Sequence, residues 1–156
     1  MQGPKPAPEL KRVEYFVGTW LSVGDMKPSP MGPGGKMTMT EHNQWMEGGF
    51  FLTMHSEFNI AGLGSGSGMA YMGFDTDKKV YTYDEFNSMG EAEHSTGSVD
   101  GDTWTWTREQ HLGGNAMKTR FIMKTLSPTS YTFKLETSPD GSDWSTLMDG
   151  KATKEK

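Results

Sequence analysis

Thr103-Trp104-Thr105-Trp106-Thr107 is the stretch whose reading decides the fold. Two tryptophans alternate with three threonines, a period of two that puts both indoles on one face of a β-strand. Asp100-Gly101 precedes the stretch and Gly113-Gly114 follows it, and both pairs are hairpin signals. A two-residue loop sets the register of the strands it joins. With Gly113-Gly114 as such a loop, Trp106 faces Phe121 and Trp104 faces Met123. The other face then pairs Glu109 with Lys118 and Thr107 with Arg120. One face is aromatic and the other a ladder of ion pairs, so the indoles point inward. With Asp100-Gly101 as a two-residue loop, Gly97 faces Trp104 and Ser95 faces Trp106. A glycine there leaves room for an indole to lie flat on the backbone.

The composition around this strand agrees. The chain has 156 residues, enough for one domain with a sizeable core. Only 33 % of residues are hydrophobic, yet 12 % are aromatic and 13 are Met, so the apolar mass sits in a few large side chains. Twenty glycines without Ala/Leu-rich runs point to many tight turns and an all-β chain. A net charge of −5 with scattered Lys and Arg argues against nucleic acid as a partner. The absence of Cys removes disulfides, thiolate chemistry and Cys-based zinc. No apolar run has the length of a membrane span. The expected location is cytoplasmic, or periplasmic or secreted if a signal peptide has been removed.

Read in order, residues 1–7 are a Pro-rich tail expected to be disordered. Pro8 to Val17 is helical, with Leu10, Val13 and Phe16/Val17 on one face and Gly18 as its stop. Ten strands follow within a single domain over residues 8–156: 18–26, 36–47, 50–59, 68–74, 80–88, 91–99, 102–112, 115–126, 130–138 and 143–153. Their links are mostly short, which requires an antiparallel meander. The expected fold is a ten-stranded up-and-down barrel with the short helix across one end. The run Gly62–Gly68 lacks the Lys-Ser/Thr ending of a phosphate loop, so it reads as a hairpin loop.

The same turn logic assigns the remaining inward residues. Gly48-Gly49 pairs Trp45 with Leu52 and Asn43 with Met54. This puts Met37, Met39, Glu41, Asn43, Trp45, Phe50, Leu52, Met54, Ser56 and Phe58 inside. Met89-Gly90 as a two-residue loop puts Val80, Thr82, Asp84, Phe86, Glu93 and Ser95 inside, with Glu93 opposite Arg108. The late strands contribute Tyr131, Phe133, Leu135, Trp144, Thr146 and Met148, provided the Ser127–Ser130 turn supplies an odd residue. One end collects the helix, Trp20 and tight turns. The other carries the long Gly-rich loops and the inward polar residues Glu41, Asp84, Glu93 and Arg108. A dry aromatic floor below a few polar groups is the anatomy of a small-molecule site.

Gly18-Thr19-Trp20 after a short helix resembles the Gly-x-Trp signature of lipocalin and calycin-like barrels. The wider pattern is Tyr15-Phe16-Val17-Gly18-Thr19-Trp20, Glu47-Gly48-Gly49-Phe50-Phe51, Gly73-Phe74-Asp75 before Val80-Tyr81, and Ser138-Pro139-Asp140-Gly141 before Trp144. Together these resemble the bacterial domain-of-unknown-function 1579 family of calycin-like barrels, over nearly the whole chain. The resemblance implies a barrel with an internal cavity and supplies no catalytic residue. Haem-binding barrels of similar shape use a histidine on a late strand, and no His occurs from Asn115 onward. No cofactor is expected.

The leading function is therefore binding of a small, mostly apolar ligand with a polar head. Its expected lining is Glu41, Asn43, Met54, Asp84, Phe86, Glu93, Trp106, Arg108, Phe121, Phe133 and Trp144. The alternatives are a small-molecule enzyme of isomerase, cyclase or lyase type, with Asp84 and Glu93 as candidate acid and base, and a filled structural barrel without ligand. His42, His55 and Glu57 share one face of a hairpin at spacings that suit a metal. The register puts that face outside, and no metal is expected. Expected partners are a small hydrophobic or amphipathic molecule, with a homodimer left open.

Overall fold

The computed structural model describes residues 3–30, 32–112 and 114–156, with the side chain of Leu112 excepted. Met31 and Gly113, which fall in expected loops, lie outside the described residues. A 3₁₀ helix, Pro8–Phe16, precedes ten strands: β1 Gly18–Met26, β2 Gly35–Trp45, β3 Leu52–Ile60, β4 Gly64–Asp75, β5 Val80–Asn87, β6 Ala92–Asp100, β7 Thr103–Leu112, β8 Asn115–Ser127, β9 Ser130–Ser138 and β10 Ser145–Lys154. Each strand pairs antiparallel with its neighbours in the chain. β1 pairs β10 and closes the barrel, so no edge is left open.

The helix buries Leu10, Val13 and Phe16 and plugs one end. Hydrogen bonds from the barrel and the helix lock it there. Tyr81 Oη donates to the Glu9 carbonyl (2.8 Å), and Trp20 Nε1 and Asn43 Nδ2 both donate to the Phe16 carbonyl (3.0 and 2.9 Å). From the helix side, Arg12 donates to the Gly101 carbonyl (2.6 Å). Above the helix the indoles of Trp104 and Trp106 stack at 5.8 Å with 7° between their planes. Phe16 meets Trp104 edge-on at 5.4 Å, and Tyr81 does so at 4.8 Å.

Register decides which residues join this core. The β2–β3 and β7–β8 ladders give Trp45↔Leu52, Asn43↔Met54, Trp106↔Phe121 and Trp104↔Met123, as expected. The β2–β3 strands stop earlier, at Trp45 and Leu52, so Phe50 lies in the turn and not on the inner face of a strand. At the β6–β7 hairpin the loop is Gly101-Asp102, one residue later than read, because Gly101 takes φ +60° at the first central position. Asp100 then pairs with Thr103, and Gly97 faces Trp106 instead of Trp104. A shift of two keeps every side chain on its face. The indole of Trp106 does lie on Gly97: a Cβ there would sit 2.4 Å from Cε3 of the ring. Gly97→Ala should therefore cost about 1–3 kcal/mol by overpacking, seen as a lower urea midpoint. An unchanged midpoint would mean that the indole is free to move away.

The β5–β6 hairpin departs by one residue, which inverts a face. Asn87 N–H donates to the Glu91 carbonyl (3.1 Å), leaving Ser88-Met89-Gly90 as a three-residue loop. Asn87 Oδ1 holds it by accepting from the N–H groups of Met89 and Glu91 (3.0 and 3.2 Å), and Gly90 takes φ +87°. Tyr83 then pairs with Ser95 and Glu85 with Glu93. Tyr81, Tyr83 and Glu85 face the lumen, while Thr82, Asp84 and Phe86 face outward. Two further irregularities act on the late strands. The odd residue needed between Thr125 and Tyr131 is a bulge at Leu126. A second shift at Leu147 keeps Met148 opposite Leu135 but puts Thr146 opposite Glu136, on the outer face.

Candidate functional site

Inward-facing side chains divide into two zones along the barrel. Near the helix, Trp20, Leu52, Met54, Met72, Trp104, Trp106, Met123, Tyr131 and Phe133 are all buried. Toward the loops at the other end, Met39, Phe58, Phe121, Leu135 and Met148 are half-buried, although their strands turn them inward. Partial exposure on a concave inner face means that solvent enters the lumen from that end.

A polar cluster lies between these zones. Arg108 on β7 extends across β6 to β5. Its Nη1 donates to Glu85 Oε1 (3.1 Å), its Nε lies 3.6 Å from Glu93 Oε2, and its Nη2 donates to Gln110 Oε1 (3.4 Å). Gln110 Oε1 also accepts from Thr119 Oγ1 at 3.3 Å. The side chains of Arg108, Glu85 and Glu93 retain 16, 29 and 18 % of their exposure, so the network is largely desolvated and still reachable from the open end. Arg108 Nε is buried without a hydrogen bond, the 3.6 Å approach of Glu93 being too long for one.

Glu41 completes the cluster from β2. It is 7 % exposed, and none of the ion pairs among the described residues includes it. Burial pushes its carboxyl up to about 7, the charge of Glu85 adds to this, and a hydrogen bond from Asn43 opposes it. Burial likewise raises Glu85, against the pull of Arg108. The hydroxyls of Tyr83 and Tyr131 are held well above their ordinary value, by burial first and then by the neighbouring acids. Glu41 acts on side chains of both β5 and β9, so its carboxyl reaches well into the lumen. The Oδ1 of Asn43, also buried, accepts no hydrogen bond.

A buried carboxyl shifted in this way has a stability signature. Its folded value lies above the ordinary 4.5, so between about 4.5 and 7 the native state holds a proton that the unfolded state releases. Stability should fall across that window, by about 3 kcal/mol for this group, and level off above it. Glu41→Gln should remove that part of the slope. Urea unfolding at pH 5 and pH 8 measures it, and equal slopes in the two proteins would rule the assignment out.

Of the lining read from sequence, Glu41, Asn43, Met54, Glu93, Trp106, Arg108, Phe121 and Phe133 face the lumen. Asp84, Phe86 and Trp144 do not. Asp84 bonds His94 Nδ1 on the outer face (2.5 Å), and Phe86 is 55 % exposed. Trp144 precedes β10 and lies over the outer-face Arg120, whose guanidinium carbon is 3.9 Å from the ring centroid and whose Nε donates to Glu136. The loop 139–144 is held in place by Asp140 Oδ1, which accepts from the N–H groups of Ser142 and Asp143. Asp84 is thus corrected as an interior acid. Glu85 and Tyr83 were missed, yet the signal was present: Asn87-Ser88-Met89-Gly90 is Asn and Gly at the first and last positions of a type I turn; Gln110, also missed, continues the inward alternation of Trp104, Trp106 and Arg108. His42 and His55 pair on the outer face with Thr40 and Glu57 beside them, and the described residues contain no metal-binding group of three. A depression of about 500 Å³ lies on β2–β4, lined by Thr38, Thr40, Glu57 and Ser67 together with the inward Met39 and Phe58, and one of about 390 Å³ lies on β8–β10; neither lining includes a residue of the polar cluster.

The model of a family described as "Protein of unknown function (DUF1579)" matches residues 5–154. The chain belongs to that family. Among solved structures, this DUF1579 chain is similar to Rv2717c from M. tuberculosis, at 15 % identity and TM-score 0.66, covering 97 % of this chain and 100 % of the other. It also resembles the S-type phycobiliprotein lyase CPES from Guillardia theta, at 10 % identity and TM-score 0.54, covering 94 and 92 %. A de novo designed fluorescence-activating β-barrel aligns at 12 % identity and TM-score 0.50, covering 91 and 95 %. At these identities the likeness is one of fold. A comparison with curated proteins finds no match. Among the described residues, no helix is long and apolar enough to cross a membrane.

Proposed function

We propose that this DUF1579 barrel binds a small, mostly apolar molecule with a polar head in the solvent-accessible half of its lumen. The observation that carries the reading is the Arg108–Glu85–Glu93–Gln110 network. It is largely buried, turned inward, and set between a dry aromatic floor and half-buried Met39, Phe121, Leu135 and Met148. Desolvating so many polar groups is costly, and a rim open to solvent would satisfy them more cheaply. The fold is one that a fluorescence-activating design and a phycobiliprotein lyase also use. An environment-sensitive apolar dye should brighten on mixing with the protein and quench its tryptophans. No uptake at high protein concentration would identify a filled, structural barrel.

One feature favours an enzyme as the second reading. A lumen carboxyl near 7, as at Glu41, suits a general acid or base at neutral pH. Mass spectrometry of a metabolite extract separates the two. A binder retains a compound unchanged, whereas an enzyme depletes one and yields a product.

A further inference from the structure

The balance of charge and hydrogen bonding in the lumen selects among head groups. Among the described strand residues, three acids face the middle of the lumen, Glu41, Glu85 and Glu93, against one cation, Arg108. Arg108 is already engaged by Glu85, Glu93 and Gln110. The remaining basic groups close to the core lie elsewhere: Arg12 is bonded to the Gly101 carbonyl at the helix end, Lys154 rests 5.3 Å over the ring of Trp20, and Arg120 is on the outer face under Trp144. Glu41 is thus a buried acceptor without a cation. Two positions along the same strand face, Asn43 is 5 % exposed and its Oδ1 is an acceptor without a donor. A carboxylate or phosphate head would add negative charge to this end of the lumen and leave Glu41 without a cation and Asn43 Oδ1 without a donor. A donor-rich, positively charged head meets both.

Resting on the binding function proposed above, we propose that the ligand is an amphipathic amine, its ammonium seated on Glu41 and Asn43 Oδ1 and its apolar body against Phe121, Phe133 and the inward Met residues. Before binding, burial lets Glu41 keep a proton near neutrality. An entering ammonium replaces that proton, which leaves to solvent. No bond of the ligand changes. Tyr83 and Glu85 from β5 and Tyr131 from β9 interact electrostatically with Glu41, and Glu93 from β6 and Arg108 from β7 line the same lumen beside Glu85. Both tyrosines stay neutral because their hydroxyls are raised. Glu85, shifted in the same direction, steepens the same dependence.

Decylamine, decanol and decanoate share one chain and differ in the head, and each can be titrated against a bound apolar dye. At pH 8 decylamine should displace the dye at a concentration about tenfold lower than decanol, since a charge-assisted hydrogen bond is worth more than a neutral one, and decanoate should be the weakest. From pH 8 to pH 6 the affinity for decylamine should fall by about tenfold, as protonation of Glu41 competes, while that for decanol stays level. Glu41→Gln should abolish both the amine advantage and the pH slope and leave decanol unchanged. Should the variant fail to fold, the order of the three probes on the unmodified protein still decides. Decanoate binding at least as tightly as decylamine, or an amine preference that survives in Glu41→Gln, overturns the inference. Decanol binding equal to decylamine overturns it while leaving the apolar-binding function intact. If none of the three displaces the dye, or the dye itself does not bind, the binding function fails with it.

Discussion

Arg108→Ala should lower the stability of this barrel by about 3–5 kcal/mol at pH 8, the range for breaking a buried ion pair by removing one partner. Arg108 retains 16 % of its side-chain exposure, and the acids it faces retain 29 and 18 %. The pairs are thus mostly desolvated, with some water reaching them from the open end, which points to the lower part of the range. Most of the loss comes from what remains. Glu85 and Glu93 oppose each other across β5 and β6, and without the guanidinium both stay in a low-dielectric lumen beside Glu41. The loss should shrink at pH 5, because Glu85, already raised by burial, takes up a proton more readily once the cation is gone. Urea unfolding at the two pH values measures this. A loss below about 1 kcal/mol at pH 8 would show that the network is as well solvated as a surface pair, and the desolvation argument for a binding site would go with it.

Trp106→Ala should cost about 3–5 kcal/mol at any pH, as a large-to-small change in a packed core. The indole is 4 % exposed, stacks on Trp104, lies 5.7 Å from the ring of Tyr83 and covers the backbone of Gly97. These neighbours sit on strands fixed by their ladders, so the space cannot close. The comparison with Arg108→Ala is informative because a core truncation has no charge to titrate. Its cost should be the same at pH 5 and pH 8. A coupling follows as well. In the Trp106→Ala background, Gly97→Ala should cost little or nothing, since the ring it meets is absent. Additive costs would mean that Gly97 matters for a reason other than the indole.

These effects trace back to parts of the chain that differ in how legible they are. The alternation around Trp104 and Trp106, the glycine-bearing hairpins and the short links determine an antiparallel meander of ten strands. Closure follows, because an open sheet of that length would leave two unpaired edges. The residues that plug one end are equally plain: Leu10, Val13 and Phe16 share a face and lead into Trp20. These features depend on local periodicity and turn chemistry, which the sequence carries directly. The Trp106–Phe121 and Asn43–Met54 pairs were legible for the same reason, as each lies close to its turn and nothing intervenes.

The membership of the polar cluster was less so. Side chains alternate with a period of two, so one residue added or removed in a loop or ladder exchanges the two faces. Asn87 closing a three-residue turn replaced Asp84 by Glu85 in the lumen, and the irregularity at Leu147 put Thr146 outside. The first had a local signal. The second is set by how β10 must run to meet β9 and β1 at once, which only the closed barrel imposes. The meeting of Glu41, Glu85, Tyr83 and Tyr131 is also tertiary. These residues belong to β2, β5 and β9, strands that share no ladder, and they come together because closure turns the inner faces toward one axis. The sequence by itself determined the barrel and its dry end; the tertiary structure decided which acids face one another inside it, because parity accumulates along the chain whereas contact across the lumen depends on every turn at once.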